Sequence, residues 1–185
     1  MPKILDTTLR EGELYKRFRR EVRVKTAELL AYVGVDRVEL TIDYPPRTTR
    51  EDVEAVIDAL RSYEVEIVLH GRAYRQDVEA AAKYDVEGVG VYLALTELHR
   101  RFKLGGISFE EAKRRLEEAL ELAVSYGFKY RRATIEDASR YYLGEDGGIE
   151  ALARLVDDLG EAGATVVSVP DTCGMLSPPQ AREFF

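Results

Sequence analysis

The stretch "DTTLREGE", Asp6–Glu13, crowds hydroxyls, a guanidinium and carboxylates together directly after the apolar "KIL". Polar groups left unpaired in an interior cost free energy, so an ordinary core strand does not end this way. The run is either a solvated loop or the lip of a site. Arg10 and Glu11 have the most chemical reach, a permanent cation beside an ionised acid. Successive strand residues face opposite ways, so both can face one rim only where the strand gives way to loop. Taken alone, the pair is equally well explained as a surface ion contact. Other strand ends raise the same choice: Glu39 in "RVELTI", His70 closing "VEIVLH" with Arg72 just beyond, Arg132 and Thr134 in "YRRATIE", and Thr172 in "PDTCG". Positions two apart on a strand share a face, so Arg132 and Thr134 are presented together.

The elements that must position these groups alternate along the chain. Short β-branched runs fall at 3–8, 37–42, 65–70, 88–95, 130–136 and 165–170, with amphipathic runs at 21–33, 49–63, 74–84, 108–126 and 147–162. The clearest helix is 108–126, where Ser108 is the cap, a glutamate follows in the first turn and Gly127 closes the element. Leu116, Ala119, Leu120 and Ala123 form its apolar stripe. Regular β-then-α order with short connections predicts a parallel sheet with right-handed crossovers. No GxGxxG follows the first strand, so a dinucleotide-binding sheet is unsupported. Polar residues gather instead at the C-terminal strand ends, where a (β/α) barrel builds its site. Six of the eight βα units of such a barrel can be counted, the last helix only begun at "PPQAREFF". The expected fold is therefore α/β, an incomplete TIM-type barrel, as one truncated domain over 1–185.

Composition narrows the partners. The 185-residue chain is 45% hydrophobic and 33% charged, as in a soluble domain, and its net charge of -7 argues against nucleic acid or an anionic membrane. No apolar run approaches the ~18 residues needed to span a bilayer, and no signal peptide opens the sequence. The single cysteine, Cys173, excludes an internal disulfide and has no histidine base at a recognisable spacing, so it reads as packing. A cytoplasmic protein is expected.

Four motifs in order resemble the homocitrate synthase and isopropylmalate synthase family, metal-dependent acyltransferases whose wider barrel family includes lyases of the hydroxymethylglutaryl type. They are "DTTLREGE", "GRAYRQDVEAAAKYDVEGVGVYLALTELHRRFKLG", "RATIEDASR" and "VPDTCGMLSP". The resemblance implies condensation of acetyl-CoA with a 2-oxo acid around a divalent metal (Mg, Mn or Zn). It assigns Arg10 as the group that stabilises negative charge developing on oxygen and Glu11 as the metal's carboxylate ligand. Glu39 matches a rim carboxylate counted with Arg10 among the catalytic residues. Arg132, Thr134 and Thr172 match contacts to the substrate carboxylate, which a guanidinium meets in a two-pronged pair. His70 matches a histidine used on the distal carboxylate of 2-oxoglutarate, with Arg72 able to serve the same anion. An isopropylmalate-type pocket would be apolar there, so His70 favours homocitrate formation in lysine biosynthesis. Asp6 is expected to brace Arg10, and His99 to lie outside the reacting centre.

The sequence also departs from that pattern. The family completes its metal site with an "HxH" on a seventh strand, whereas the histidines here are His70 and His99. Leu14 stands where glutamine is usual, and Thr134 where serine is. The expectation is a fragment, one half of a split enzyme, or a non-catalytic remnant. Open strand edges lead us to expect a homo-oligomer or a complementing chain. Citramalate or isopropylmalate synthesis is the alternative within the class.

Overall fold

A computed structural model describes residues 2–42, 48–145 and 148–185. Six strands form one parallel sheet in sequence order, β1 to β6. They are β1 (Leu5–Asp6), β2 (Arg37–Thr41), β3 (Glu66–Arg72), β4 (Gly88–Ala94), β5 (Tyr130–Glu136) and β6 (Val166–Ser168). The helices are α1 (Thr8–Glu11), α2 (Arg20–Val33), α3 (Arg50–Leu60), α4 (Arg75–Ala81), α5 (Glu97–Phe102), α6 (Phe109–Ser125), α7 (Ala138–Arg140), α8 (Gly148–Glu161) and α9 (Pro178–Phe184), with a wider helical turn at Tyr141–Glu145. This is the half-barrel the strand count predicts.

Local chemistry explains the differences from the predicted elements. The first strand, expected over 3–8, stops at Asp6. The Asp6 carboxylate accepts the Thr8 N–H at 2.8 Å, and the Thr7 carbonyl accepts the N–H groups of Arg10 and Glu11. The chain thus winds into α1, so Arg10 and Glu11 sit on a helical turn rather than a loop. The last turns expected of the helices over 49–63 and 74–84 tighten into three-residue turns, with Tyr63 N–H on Leu60 and Tyr84 N–H on Ala81. The sixth strand pairs over three residues only. Residue 147, expected to open the fifth helix, lies outside the described residues. The helix α5 was not anticipated.

Caps start the long helices. Ser108 Oγ accepts the Glu111 N–H, and Thr49 with Asp52 forms a reciprocal capping box on α3. On one face of the sheet Val38, Leu40, Ile67, Leu69, Val89, Val91, Leu93, Ala133 and Ile135 pack against apolar stripes of the helices, among them Val53, Val56 and Leu60 of α3 and Leu116, Ala119 and Leu120 of α6. Full burial of a large aliphatic side chain contributes about 1.5–3 kcal/mol, so this layer holds the fold. No helix among the described residues is long and apolar enough to cross a membrane.

Candidate active site

The opposite sheet face is polar. Register places Thr41, His70, Gly90 and Arg132 in one row across β2 to β5, and Arg72, Tyr92, Thr134 and Ser168 in the next row across β3 to β6. These rows form the wall of a cavity of about 830 Å³, with α1 and the β6 loop at its lip. Of the expected site residues, Arg10, Glu11, His70, Arg72, Arg132, Thr134 and Thr172 all line it.

Glu39 lies one level deeper and is not among the lining residues. Its carboxylate is fully buried, and its two oxygens accept separately, from Arg10 Nε and from Arg132 Nη2. A buried charge persists only when paired and hydrogen-bonded, and Glu39 meets that condition by holding two guanidiniums. It braces both guanidiniums from beneath the cavity. Arg10 turns its remaining reach toward the Glu11 carboxylate, which is about half exposed at the rim. Asp6 faces the Thr8 N–H; the carboxylate that reaches Arg10 from the sheet is Glu39.

Arg132 also lies 3.0 Å from His70 Nδ1 through Nη2. A guanidinium only donates, so Nδ1 accepts and the ring proton sits on Nε2. The ring stacks on Tyr92, centroids 5.1 Å apart and 15° from parallel. Burial pushes the Tyr92 phenol above its ordinary range, with Lys103 opposing, so it remains a hydroxyl at neutral pH. Gly90 makes the crossing possible. A methyl group there would stand 3.0 Å from His70 Nδ1 and 3.1 Å from Arg132 Nη2, so only glycine leaves Arg132 an unobstructed path over β4.

Arg72 is held by Asp77, which accepts from its backbone N–H, Nε and Nη2 at 2.8, 3.0 and 2.9 Å. Its charge is largely matched from α4, and its role toward a ligand anion is weaker than its position suggests. Thr172 Oγ1 accepts the Asp137 N–H, tying the β6 loop to β5. His99 Nδ1 lies 2.8 Å from Thr96 Oγ1, away from the cavity, and Cys173 is exposed. Sequence reasoning passed over Thr41, Tyr92, Glu136 and Ser168, which also line the cavity. Period-two alternation from Glu39 to Thr41 and from Arg132 to Glu136 is a signal that could have found two of them.

Among the described residues, no three His, Cys, Asp or Glu side chains converge to hold a metal ion. Glu11 offers one carboxylate, already paired with Arg10. The donors among the described residues therefore do not by themselves fit a divalent metal.

The chain is a parallel α/β half-barrel that carries an arginine, glutamate and histidine cluster at the C-terminal rim of its sheet. The chain belongs to the HMGL-like family, which it matches over residues 1–185. It is 33% identical over 186 residues to the homocitrate synthase of Sulfurisphaera tokodaii, covering 98% of this chain and 39% of that protein. It is 33% identical over 185 residues to a probable 2-isopropylmalate synthase of Ignicoccus hospitalis, covering 97% of this chain and 43% of that protein. The chain thus spans about two-fifths of the length of these relatives. Among solved structures, hydroxymethylglutaryl-CoA lyase from Pseudomonas aeruginosa superposes with a TM-score of 0.80 at 19% identity, over 98% of this chain and 61% of that one. The carboxyl transferase domain of Rhizobium etli pyruvate carboxylase does so at 0.70 and 16% identity, over 98% of this chain and 32% of that one. Both likenesses concern the fold.

Proposed function

We propose that this chain supplies the acceptor-binding wall of an acyltransferase that condenses acetyl-CoA with a 2-oxo acid, 2-oxoglutarate yielding homocitrate in lysine biosynthesis. One observation carries the reading: Glu39 on β2 fastens Arg10 of α1 and Arg132 of β5 into one cavity wall. Arg132 and Thr134 share a strand face, where guanidinium and hydroxyl together hold the 2-oxo acid's carboxylate. His70, with its proton on Nε2, donates to the distal carboxylate. Arg10 stands ready to stabilise the oxygen that gains charge when the methyl carbon of the acetyl group attacks the keto carbon. Because Glu39 fixes both guanidiniums beforehand, little reorganisation accompanies that charge development.

The names of the relatives support the acyl-CoA class but divide on the acceptor, at equal identity. The polar His70–Arg132 pair favours a dicarboxylate over the branched or short acceptors of isopropylmalate and citramalate synthesis. A divalent metal in this reading needs, beyond Glu11, donors supplied by a second copy or a complementing chain. Among the described residues, strands β1 and β6 are each paired on one side only, so the same proposal includes a second copy or a complementing chain covering those edges. A cytoplasmic location belongs to this reading.

A second reading, a non-catalytic binding subunit, is favoured by the lack of a three-ligand metal cluster among the described residues. Calorimetry with 2-oxoglutarate and an assay of CoA release, both with Mg²⁺ present, separate the two. CoA release by the purified chain establishes the enzyme. Binding without release supports the binding subunit, and absence of binding overturns both. Replacing His70 with Leu is expected to lower 2-oxoglutarate affinity about tenfold, the loss of one hydrogen bond to a charged group, while sparing monocarboxylates.

A further inference from the structure

Thr41 closes β2 and lines the cavity, and its Oγ1 is buried with no hydrogen-bond partner among the described residues. Two other cavity-wall atoms share that condition, Thr134 Oγ1 and Arg132 Nε. Arg132 as a residue is only 6% exposed. Buried polar atoms without partners are few in folded proteins, and each calls for an explanation. A valine would serve β2 equally well by shape and strand preference, without a hydroxyl to desolvate. Clustering of three such atoms in one cavity wall indicates that their partner is the bound molecule.

Register decides which end of that molecule Thr41 meets. Thr41 pairs with His70 across β2 and β3, and the Ile42 N–H donates to the His70 carbonyl at 3.1 Å. Neighbouring strands run about 4.8 Å apart, and both side chains stand on the inner face, so the hydroxyl lies beside the imidazole. Thr134 lies a row higher, on β5, next to Tyr92.

Resting on the acceptor assignment above, we infer that Thr41 is a specificity-determining residue, its hydroxyl donating to the distal carboxylate of a dicarboxylic 2-oxo acid beside His70. The sheet then reads that carboxylate from two adjacent strands, with one imidazole N–H and one hydroxyl. A monocarboxylic 2-oxo acid leaves both donors without a partner and is bound less well.

Calorimetry on the whole chain with 2-oxoglutarate and with 2-oxobutyrate tests this, using Thr41→Val and Thr41→Ser in the presence of Mg²⁺. Thr41→Val is expected to weaken 2-oxoglutarate about tenfold and leave 2-oxobutyrate unchanged, since only the former carries the second carboxylate. Thr41→Ser is expected to restore most of the difference. The thermal midpoint of Thr41→Val should equal or exceed that of the wild type, because an unpartnered hydroxyl has gone. Unchanged discrimination in Thr41→Val overturns the inference and leaves the acceptor assignment standing. So does equal weakening toward both acids with a lowered midpoint, the mark of a structural role. A wild-type chain that binds neither acid overturns the acceptor assignment, and the Thr41 role falls with it.

Discussion

The two faces of one sheet obey different rules. On the helix side, Leu69, Val89, Val91 and Ile135 are all but inaccessible and belong to the apolar core. On the inner side of the sheet, His70, Arg132 and Glu39 are almost as buried, yet they depend on one another for hydrogen bonds. The first face is satisfied by packing alone. The second is satisfied only in part, since Thr41 Oγ1, Thr134 Oγ1 and Arg132 Nε have no partner among the described residues. Burying such groups opposes folding, so the helix side supplies the stability that lets the inner side remain incomplete until a ligand arrives.

The largest effect is expected from Glu39→Ala. It leaves two guanidiniums facing each other without their shared carboxylate, and removing one partner of a buried ion pair costs about 3–5 kcal/mol. Urea unfolding should show that loss, with 2-oxoglutarate binding abolished. Retained stability together with retained binding would mean that the inner face does not hinge on Glu39. On the other side, Leu69→Ala should cost about 2–5 kcal/mol by opening a cavity, yet leave 2-oxoglutarate affinity unaltered. A parallel loss of affinity there would erase the distinction between the faces. Gly90→Ala comes next. Its methyl group would crowd His70 and Arg132, so we expect about 1–3 kcal/mol of overpacking and weakened binding, measured by the same titrations.

How much of this could be read from the sequence follows from the kind of contact involved. The meeting of Arg10, His70, Arg132 and Thr172 was legible, because βα alternation brings the C-terminal strand ends to one rim and the family resemblance picked out these residues on it. The Glu39 bridge was not. It depends on the missing side chain at Gly90, which opens a path across β4, and spacing along a strand carries no information about reach between strands. Asp77 gripping Arg72 was hidden for the same reason, being a contact between a helix and the strand before it. The turn into α1 was local and still missed, because "KILDTT" has strand-forming composition while the Thr7 carbonyl and the Asp6 carboxylate draw the following N–H groups into a helix. Thr41 and Glu136 were written in the period-two pattern of their strands. A fully buried parallel strand reads as a continuous apolar run, so polar residues alternating within it mark a face turned to a site.

The smallest expected effect concerns acid and tests whether the helix side is held by packing alone. Asp52 begins α3 and is buried, accepting from the Thr49 N–H, Arg17 and Arg20, with Arg23 3.2 Å away. Burial pushes its carboxyl up, but the hydrogen bonds from Thr49, Arg20 and Arg17 outweigh it and hold the carboxyl well below the usual carboxylate range. With the folded value below the unfolded one, Asp52 contributes stability that is fully present above about pH 4 and is lost as pH falls through the depressed value. Asp52→Asn should therefore lower stability by about 0.5–2 kcal/mol at neutral pH, the cost of a weakened helix cap, with the gap to the wild type closing as the pH falls below 4. Parallel denaturation curves at pH 7 and pH 3 measure this. A gap that stays constant between them would show that the charge on Asp52 does nothing for the helix side, and that apolar packing alone sustains it.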